Sequence, residues 1–385
     1  MAVDSNWNMR IAVAVQSSKV PSNQANYPIL LTHVNVGNGT DSMFDADGLY
    51  PANADGGDIR VTSDEAGVSE LAVDIVYFLR NNNPTLGRLE MHVKHPNVLS
   101  ASNTTVYVWW NNSGATMPLA SATYGSENVW TNNYDAVYHC QETNPSGANS
   151  IKDSTSNDNH LTPTGTVTNK DSNWGSGIKG FQFASLAYAS KDTTKIPVDD
   201  SFSLECIAQV GTGNPAVGLV WIGDKDASWK WSEVGFSANP NVRAYTVGYG
   251  ASAQYAEKTL GTQNTWIHSF ATFTGTAERN AYLNGAGPAT DTDSINSGYF
   301  THDRLVMNAR LDTSSEQNSQ IVCIDEARVS DVKRATNWIV TQGNNHTSPS
   351  TFAIEGIAEF VGVAGVGAGR RIPRGVARGI LKGAA

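Results

Sequence analysis

Ile321-Val322-Cys323-Ile324-Asp325-Glu326-Ala327-Arg328-Val329 is a short apolar run that turns acidic near its end, a few residues ahead of Asn337-Trp338-Ile339. Its β-branched and small apolar residues predict a strand. On a regular strand the adjacent Asp325 and Glu326 point to opposite faces. Upstream, Asn280-Ala281-Tyr282-Leu283-Asn284-Gly285 reads as one arm of a hairpin closed by an Asn-Gly turn, whose two central residues take positive φ.

Composition carries the same signal across the chain. Among 385 residues there are 35 Gly and 14 Pro, with 16% charged, the mixture of a turn-rich all-β protein. The length suffices for two or three domains. A net charge of −10 argues against a nucleic-acid partner. The charge is uneven. Residues 361–385 hold Arg370, Arg371, Arg374, Arg378 and Lys382 and no acid, leaving 21 basic against 36 acidic residues elsewhere.

Cys140, Cys206 and Cys323 lie in apolar, strand-like runs, an odd count that reads as buried small hydrophobes rather than a disulfide framework or a metal set. The N-terminus lacks the basic and apolar regions of a signal peptide. No window approaches the roughly 18 apolar residues of a spanning helix. The expectation is a chain made soluble in the cytoplasm.

Strands are predicted at residues 7–15 by alternation of Ile11, Val13 and Val15, then at Tyr27–Leu31, Ile59–Thr62, Leu71–Leu79, Leu89–Val93 and Thr104–Trp110. This spacing makes a small antiparallel sandwich. Trp7 and Arg10, Tyr27-Pro28-Ile29-Leu30-Leu31, Asp58-Ile59-Arg60-Val61 and Leu99-Ser100-Ala101-Ser102-Asn103-Thr104-Thr105-Val106-Tyr107-Val108 occur in an order that resembles domain of unknown function 2341. Where that family carries Tyr-Gly-Asn, this chain has Trp109-Trp110-Asn111-Asn112.

Val137–Glu142, Asp153–Asn159 and Phe202–Ile207, followed by Asn264–His268 and the two opening stretches, resemble a laminin-G-like, concanavalin A-like jelly roll. Thr351–Gly356 is expected to be the strand that seals it. The organisation read from the chain is therefore a small β-sandwich over 1–120, a jelly roll over 121–360 and a Gly-rich basic tail over 361–385.

That resemblance implies a Ca²⁺ site, with Asp153 and Asp325 at the matching acidic positions. Ca²⁺ needs about six to eight oxygens, so backbone carbonyls and water would join them. The alternative is that Asp153 caps a turn while Asp325 pairs with Arg328 or a loop donor. The fold also implies carbohydrate binding. Trp221, Trp229 and Trp231 cluster around Asp224 and Asp226, with Tyr245 and Tyr249 beyond, and an exposed indole beside an acid suits a sugar ring. Against this, aromatic residues on sandwich strands are mostly core.

Catalytic readings find no support. The Glu-x-Asp-x-x-Glu strand motif of glycosidases sharing this fold is absent, and so is a Gly-x-Ser-x-Gly elbow. His92 and His95 sit on a strand-like run ending at Pro96 and read as surface residues that do not converge on a metal. Gly175–Gly180 reads as a glycine turn leading into the strand Phe181–Phe183.

The function expected is a non-catalytic surface-binding or adhesion protein. Two lectin-like sandwiches with an anchoring tail resemble phage virion accessory proteins such as head decorations, fibres or tail appendages. The partners would be a glycan or other host-surface receptor at the jelly roll and virion proteins at the tail or first domain, and such attachments are often homo-oligomers. The alternatives are a structural virion cement protein and a cellular surface adhesin, which place the chain at the virion surface or at the cell surface.

Overall fold

The computed structural model describes residues 3–361 apart from 4–5, 37–41, 198–200, 212–215, 227–229, 238–240, 249–252, 276, 296–301, 312–315 and 318–320. Over these residues the protein is all-β, built from antiparallel sheets paired into two sandwiches. The tail residues Arg370, Arg371, Arg374, Arg378 and Lys382 lie outside the described residues, as do Trp229 and Tyr249.

Strand Met9–Val15 shows why alternation predicted it: Met9, Ile11, Val13 and Val15 are buried while Arg10, Ala12 and Ala14 are half-buried. It pairs with Thr104–Trp110, which pairs with Arg60–Thr62. A three-stranded sheet of Gln24–Thr32, Arg88–Val98 and Val73–Leu79 faces it. Ile11, Val13, Val106 and Val108 meet Ile29, Leu31, Leu89, Met91 and Val93 in the first core.

The second sandwich pairs a sheet containing Gly175–Phe183, Val322–Ser330, Ser201–Val210, Trp266–Thr274 and Glu278–Leu283 with a seven-stranded one. The seven-stranded sheet includes Val217–Gly223, Trp231–Phe236, Asn241–Val247, Ala253–Thr259 and Arg304–Met307. Phe181, Phe202, Leu204, Cys206, Ile222, Phe236 and Ile324 fill the space between them. All three cysteines are free and buried.

The division at residue 120 is crossed twice. Trp130, Tyr134 and Val137 pack into the first core. Ala353–Glu355 does not seal the second sandwich as expected; it pairs with Val13–Val15 and extends the first sheet. Between them Thr336–Thr347 is an α-helix that the strand reading did not include. Its buried face includes Thr341, Gln342, Asn345 and His346, so no apolar stripe betrays it. Asn345 explains its position. Its side-chain amide donates to the Pro28 carbonyl (3.1 Å) and accepts from the Leu30 amide (3.2 Å), closing the open edge of the three-stranded sheet as another strand would.

The Asn-Gly turn has the backbone the sequence requires, with φ of 52° at Asn284 and 71° at Gly285. It also has a packing role: a Cβ on Gly343 would stand 2.5 Å from the Gly285 backbone, so the turn and the helix touch main chain to main chain.

Candidate functional site

The outer face of the three-stranded sheet lies against the outer face of the second sandwich. In Arg88–Val98 the odd residues Leu89, Met91 and Val93 enter the first core, which turns Glu90 and His92 toward the second. In Ser201–Val210 the even residues enter the second core, which turns Glu205 and Ile207 back. Leu30, Trp174, Ile178 and Ile207 form a small apolar contact at this junction, and the space beside it is filled with ionisable groups.

A bulge decides which acids arrive there. Ile207 is opposite Glu326 and Ala208 is opposite Ile324, leaving Asp325 as the extra residue. Ile324 and Ala327 both enter the core, so Asp325 and Glu326 share the junction face. The expectation of opposite faces is corrected by this register change. His92 is corrected too: it is fully buried, not on the surface, and it meets partners from the other sandwich.

Glu326 is the hub. Its Oε1 lies 2.5 Å from His139 Nδ1 and 3.3 Å from His92 Nε2, and its Oε2 accepts from Arg328 Nε at 3.0 Å. His139 reaches on to Asp74 (3.0 Å), which also accepts from Trp130 Nε1 (2.8 Å). Arg328 stacks over Trp130 at 4.9 Å and lies 3.6 Å from Glu205, which bonds His268 at 2.8 Å. His268 in turn stacks on His346 at 5.6 Å.

Burial alone favours neutral groups here, and charge pairing decides which escape. Burial raises the Glu326 carboxyl, but Arg328 and His139 outweigh it and hold it well below the carboxylate range. Burial lowers His139, but Glu326 and Asp74 outweigh that and raise it well above the ordinary histidine value. Glu90 is raised well above its ordinary value by burial and then by Asp325 and Glu326. His92 is lowered to about 4, chiefly by burial.

The residues proposed for Ca²⁺ are differently engaged. Asp153 Oδ1 accepts from the Val137 and Thr155 amides, and Oδ2 from the Asn159 amide and the Thr155 hydroxyl. It caps a turn. Asp325 Oδ2 accepts from the Asn173 amide at 2.8 Å, which is a loop donor. Among the described residues neither belongs to a group of three His, Cys, Asp or Glu able to share one ion.

The carbohydrate candidates fall into two groups. Asp224 and Asp226 gather with Asp303 at a loop, where Asp224 accepts from the Asp226 amide and Asp303 from the Lys225 amide. A polar cleft of about 450 Å³ adjoins this loop, lined by Lys225 and Asp303 with Asn157, Asn159 and Lys191. The rings run across the outer face of the seven-stranded sheet. Trp221 and Trp231 have centroids 6.4 Å apart, Trp231 and Tyr245 4.8 Å, and Tyr245 and Tyr255 6.1 Å. Trp231 is buried rather than an exposed indole, Tyr245 is half-buried, and Tyr255 is 53% exposed. The Arg243 guanidinium lies 4.6 Å from the Tyr245 centroid and is paired with buried Glu233 at 2.9 Å. Burial, then Glu233 and Tyr255, push the Tyr245 hydroxyl up to about 12. Tyr255 was missed because one tyrosine on a polar strand carries no signal until its cross-strand partner, Tyr245, is known.

No protein-family model matches the chain, and no curated protein sequence matches it. Among solved structures it is similar to the binding domain of botulinum neurotoxin DC in complex with SialylT, at 11% identity and a TM-score of 0.43, over 56% of this chain and 52% of that one. The botulinum neurotoxin serotype G binding domain aligns at 12% identity and a TM-score of 0.42, with the same coverage. The chain thus spans about half the length of the structures it matches, and no function follows from the likeness.

Proposed function

We propose that the chain is a non-catalytic binding protein whose second sandwich holds carbohydrate against the outer face of the seven-stranded sheet. The observation that carries this reading is the row of rings from buried Trp231 through Tyr245 to exposed Tyr255. A sugar ring stacks on an aromatic face that is already fixed, and here the buried rings and the Arg243–Glu233 pair fix it. The non-catalytic part is supported by the junction. Its carboxylates Glu90, Glu205, Asp325 and Glu326 are closed to solvent, where no substrate reaches them.

In the same reading the protein is displayed on a virion surface, attached through its first sandwich or its basic tail. Co-purification with particles tests that part. The binding reading is tested by a glycan array probed with the full chain in Ca²⁺ and again in EDTA. Binding lost in Tyr255→Ala supports the platform, and loss in EDTA would bring calcium into it. Silence in both conditions from a folded sample overturns carbohydrate binding and favours the structural cement reading.

A further inference from the structure

We propose that Glu90, His92, His139 and Glu326 form a closed site for one divalent transition-metal ion, which ties the two sandwiches together. One ligand atom from each lies within 4.8 Å of all the others, and all four residues are buried. They come from three separate places in the chain: Glu90 and His92 from one strand of the first sandwich, His139 from just after Tyr134–Tyr138, and Glu326 from the central strand of the second.

The strongest argument is how the far atom is held in three of the four ligands. Asp74 accepts from His139 Nε2, leaving Nδ1 inward. Gln141 Nε2 donates to Glu90 Oε2 at 3.0 Å, leaving Oε1 inward. Arg328 Nε donates to Glu326 Oε2, leaving Oε1 inward. His92 is held by its rings instead, stacked on His139 at 5.1 Å and edge-on to Trp130 at 5.0 Å. Outer partners that fix a ligand's orientation are the usual support of a metal site, and a carboxylate behind a histidine is one of them.

A second observation points to a missing occupant. Glu90 Oε1 is buried and has no hydrogen-bond partner. The Trp174 indole N–H, at the same junction, is buried and without a hydrogen-bond partner as well. Asp325 Oδ1, in the same junction, is also without a partner. Buried oxygens left open cost stability unless something satisfies them. A cation does so for Glu90 and offsets the repulsion among Glu90, Asp325 and Glu326.

Donor chemistry selects the ion. Two imidazole nitrogens and two carboxylate oxygens suit Zn²⁺, Co²⁺ or Mn²⁺ and disfavour Ca²⁺ and Mg²⁺, which take oxygen ligands. The ion would displace the proton that His139 shares with Glu326. Their 2.5 Å contact would then open toward the roughly 3.3 Å between two ligands of a tetrahedral ion about 2.0 Å away. No ligand is exposed, so the site is structural and fills as the chain folds.

The test refolds the full chain from denaturant with Zn²⁺ or Co²⁺, removes free metal by gel filtration and measures what remains bound. About one equivalent per chain is expected, with the visible absorption of four-coordinate Co²⁺. Glu90→Gln, which keeps the side chain's shape, should lose the metal while circular dichroism reports the fold. Asp74→Asn should weaken binding by about 10- to 100-fold. Background metal in the folded wild-type chain overturns the proposal, and so does equal metal in wild type and Glu90→Gln, which would place the ion elsewhere. The wild-type measurement decides the matter even if both variants fail to fold.

Discussion

Arg328 and Glu326, two residues apart on one strand, are bonded at 3.0 Å while fully buried, and Arg328 is also 3.6 Å from buried Glu205. A single guanidinium thus stands between two carboxylates that belong to the second sandwich and beside Trp130, which belongs to the first core. The polar junction depends on it. Removing one partner of a buried pair leaves the other charged and unmatched.

Arg328→Met keeps most of the volume and removes the charge. The expected loss is about 3–5 kcal/mol in urea unfolding. Arg304 provides the contrast, since its bond to Asp192 at 2.7 Å is solvent-exposed. Arg304→Met should cost under about 1 kcal/mol. Equal losses at the two sites would show that the junction carries no special load.

Gly343 tests the contact between the helix and the Asn284-Gly285 turn. Alanine in a helix interior gains up to about 1 kcal/mol over glycine. Here its Cβ would meet the Gly285 Cα and N at 2.5 Å, backbone atoms that cannot rotate away. Sterics should win, with Gly343→Ala destabilising by about 1–3 kcal/mol. Gly261→Ala, with open space around its position, should stay within about 0.5 kcal/mol of wild type. A stabilised Gly343→Ala would show that the turn gives way.

Much of the architecture was legible because the responsible forces are local. Strand Thr104–Trp110 has the bounds its β-branched and aromatic residues predict, and the positive φ at Asn284 and Gly285 is the one that Asn and Gly, the latter without a Cβ, adopt most readily. The junction was hidden for a physical reason. Alternation in Leu89–Val93 separates core from non-core, but it does not distinguish water from a second sandwich as the neighbour of Glu90 and His92. The bulge at Asp325 was equally silent, since nothing in Cys323–Ala327 marks an extra residue until Ile207 and Ala208 are placed opposite. The helix Thr336–Thr347 buries amides rather than an apolar stripe, so its periodicity does not appear in hydropathy.

Asp153 separates a capping role from an ion site. Its two oxygens accept from three backbone amides and one hydroxyl, with burial as the largest influence on the carboxyl. Asp153→Ala leaves those amides without partners, and a loss of about 2–4 kcal/mol is expected. The loss should be the same with EDTA as with Ca²⁺. A deficit seen only in Ca²⁺ would return the residue to the metal reading.

Acid should destabilise the protein through buried histidines. His302 is fully buried, donates from Nδ1 to the Pro197 carbonyl at 2.8 Å and lies edge-on to Phe202 at 5.2 Å. Burial lowers its pKa from 6.5 to about 4, against the smaller upward pull of Pro197 and Asp224. Between those values the unfolded chain binds a proton that the native chain refuses, so stability falls as pH drops from 6.5 to 4. The full shift corresponds to about 3 kcal/mol. His33, also lowered to about 4 by burial and Arg88, acts in the same direction. Asp135 opposes them. Burial, with Asp331 and Asp153, pushes it up to about 7, so its native form takes up a proton as pH falls. The difference between wild type and His302→Gln isolates one histidine from these terms. Measured by urea unfolding in EDTA, the wild-type deficit should grow steadily below pH 6.5 and the variant's should grow less. Parallel curves for the two proteins would mean that His302 is protonated in the folded chain.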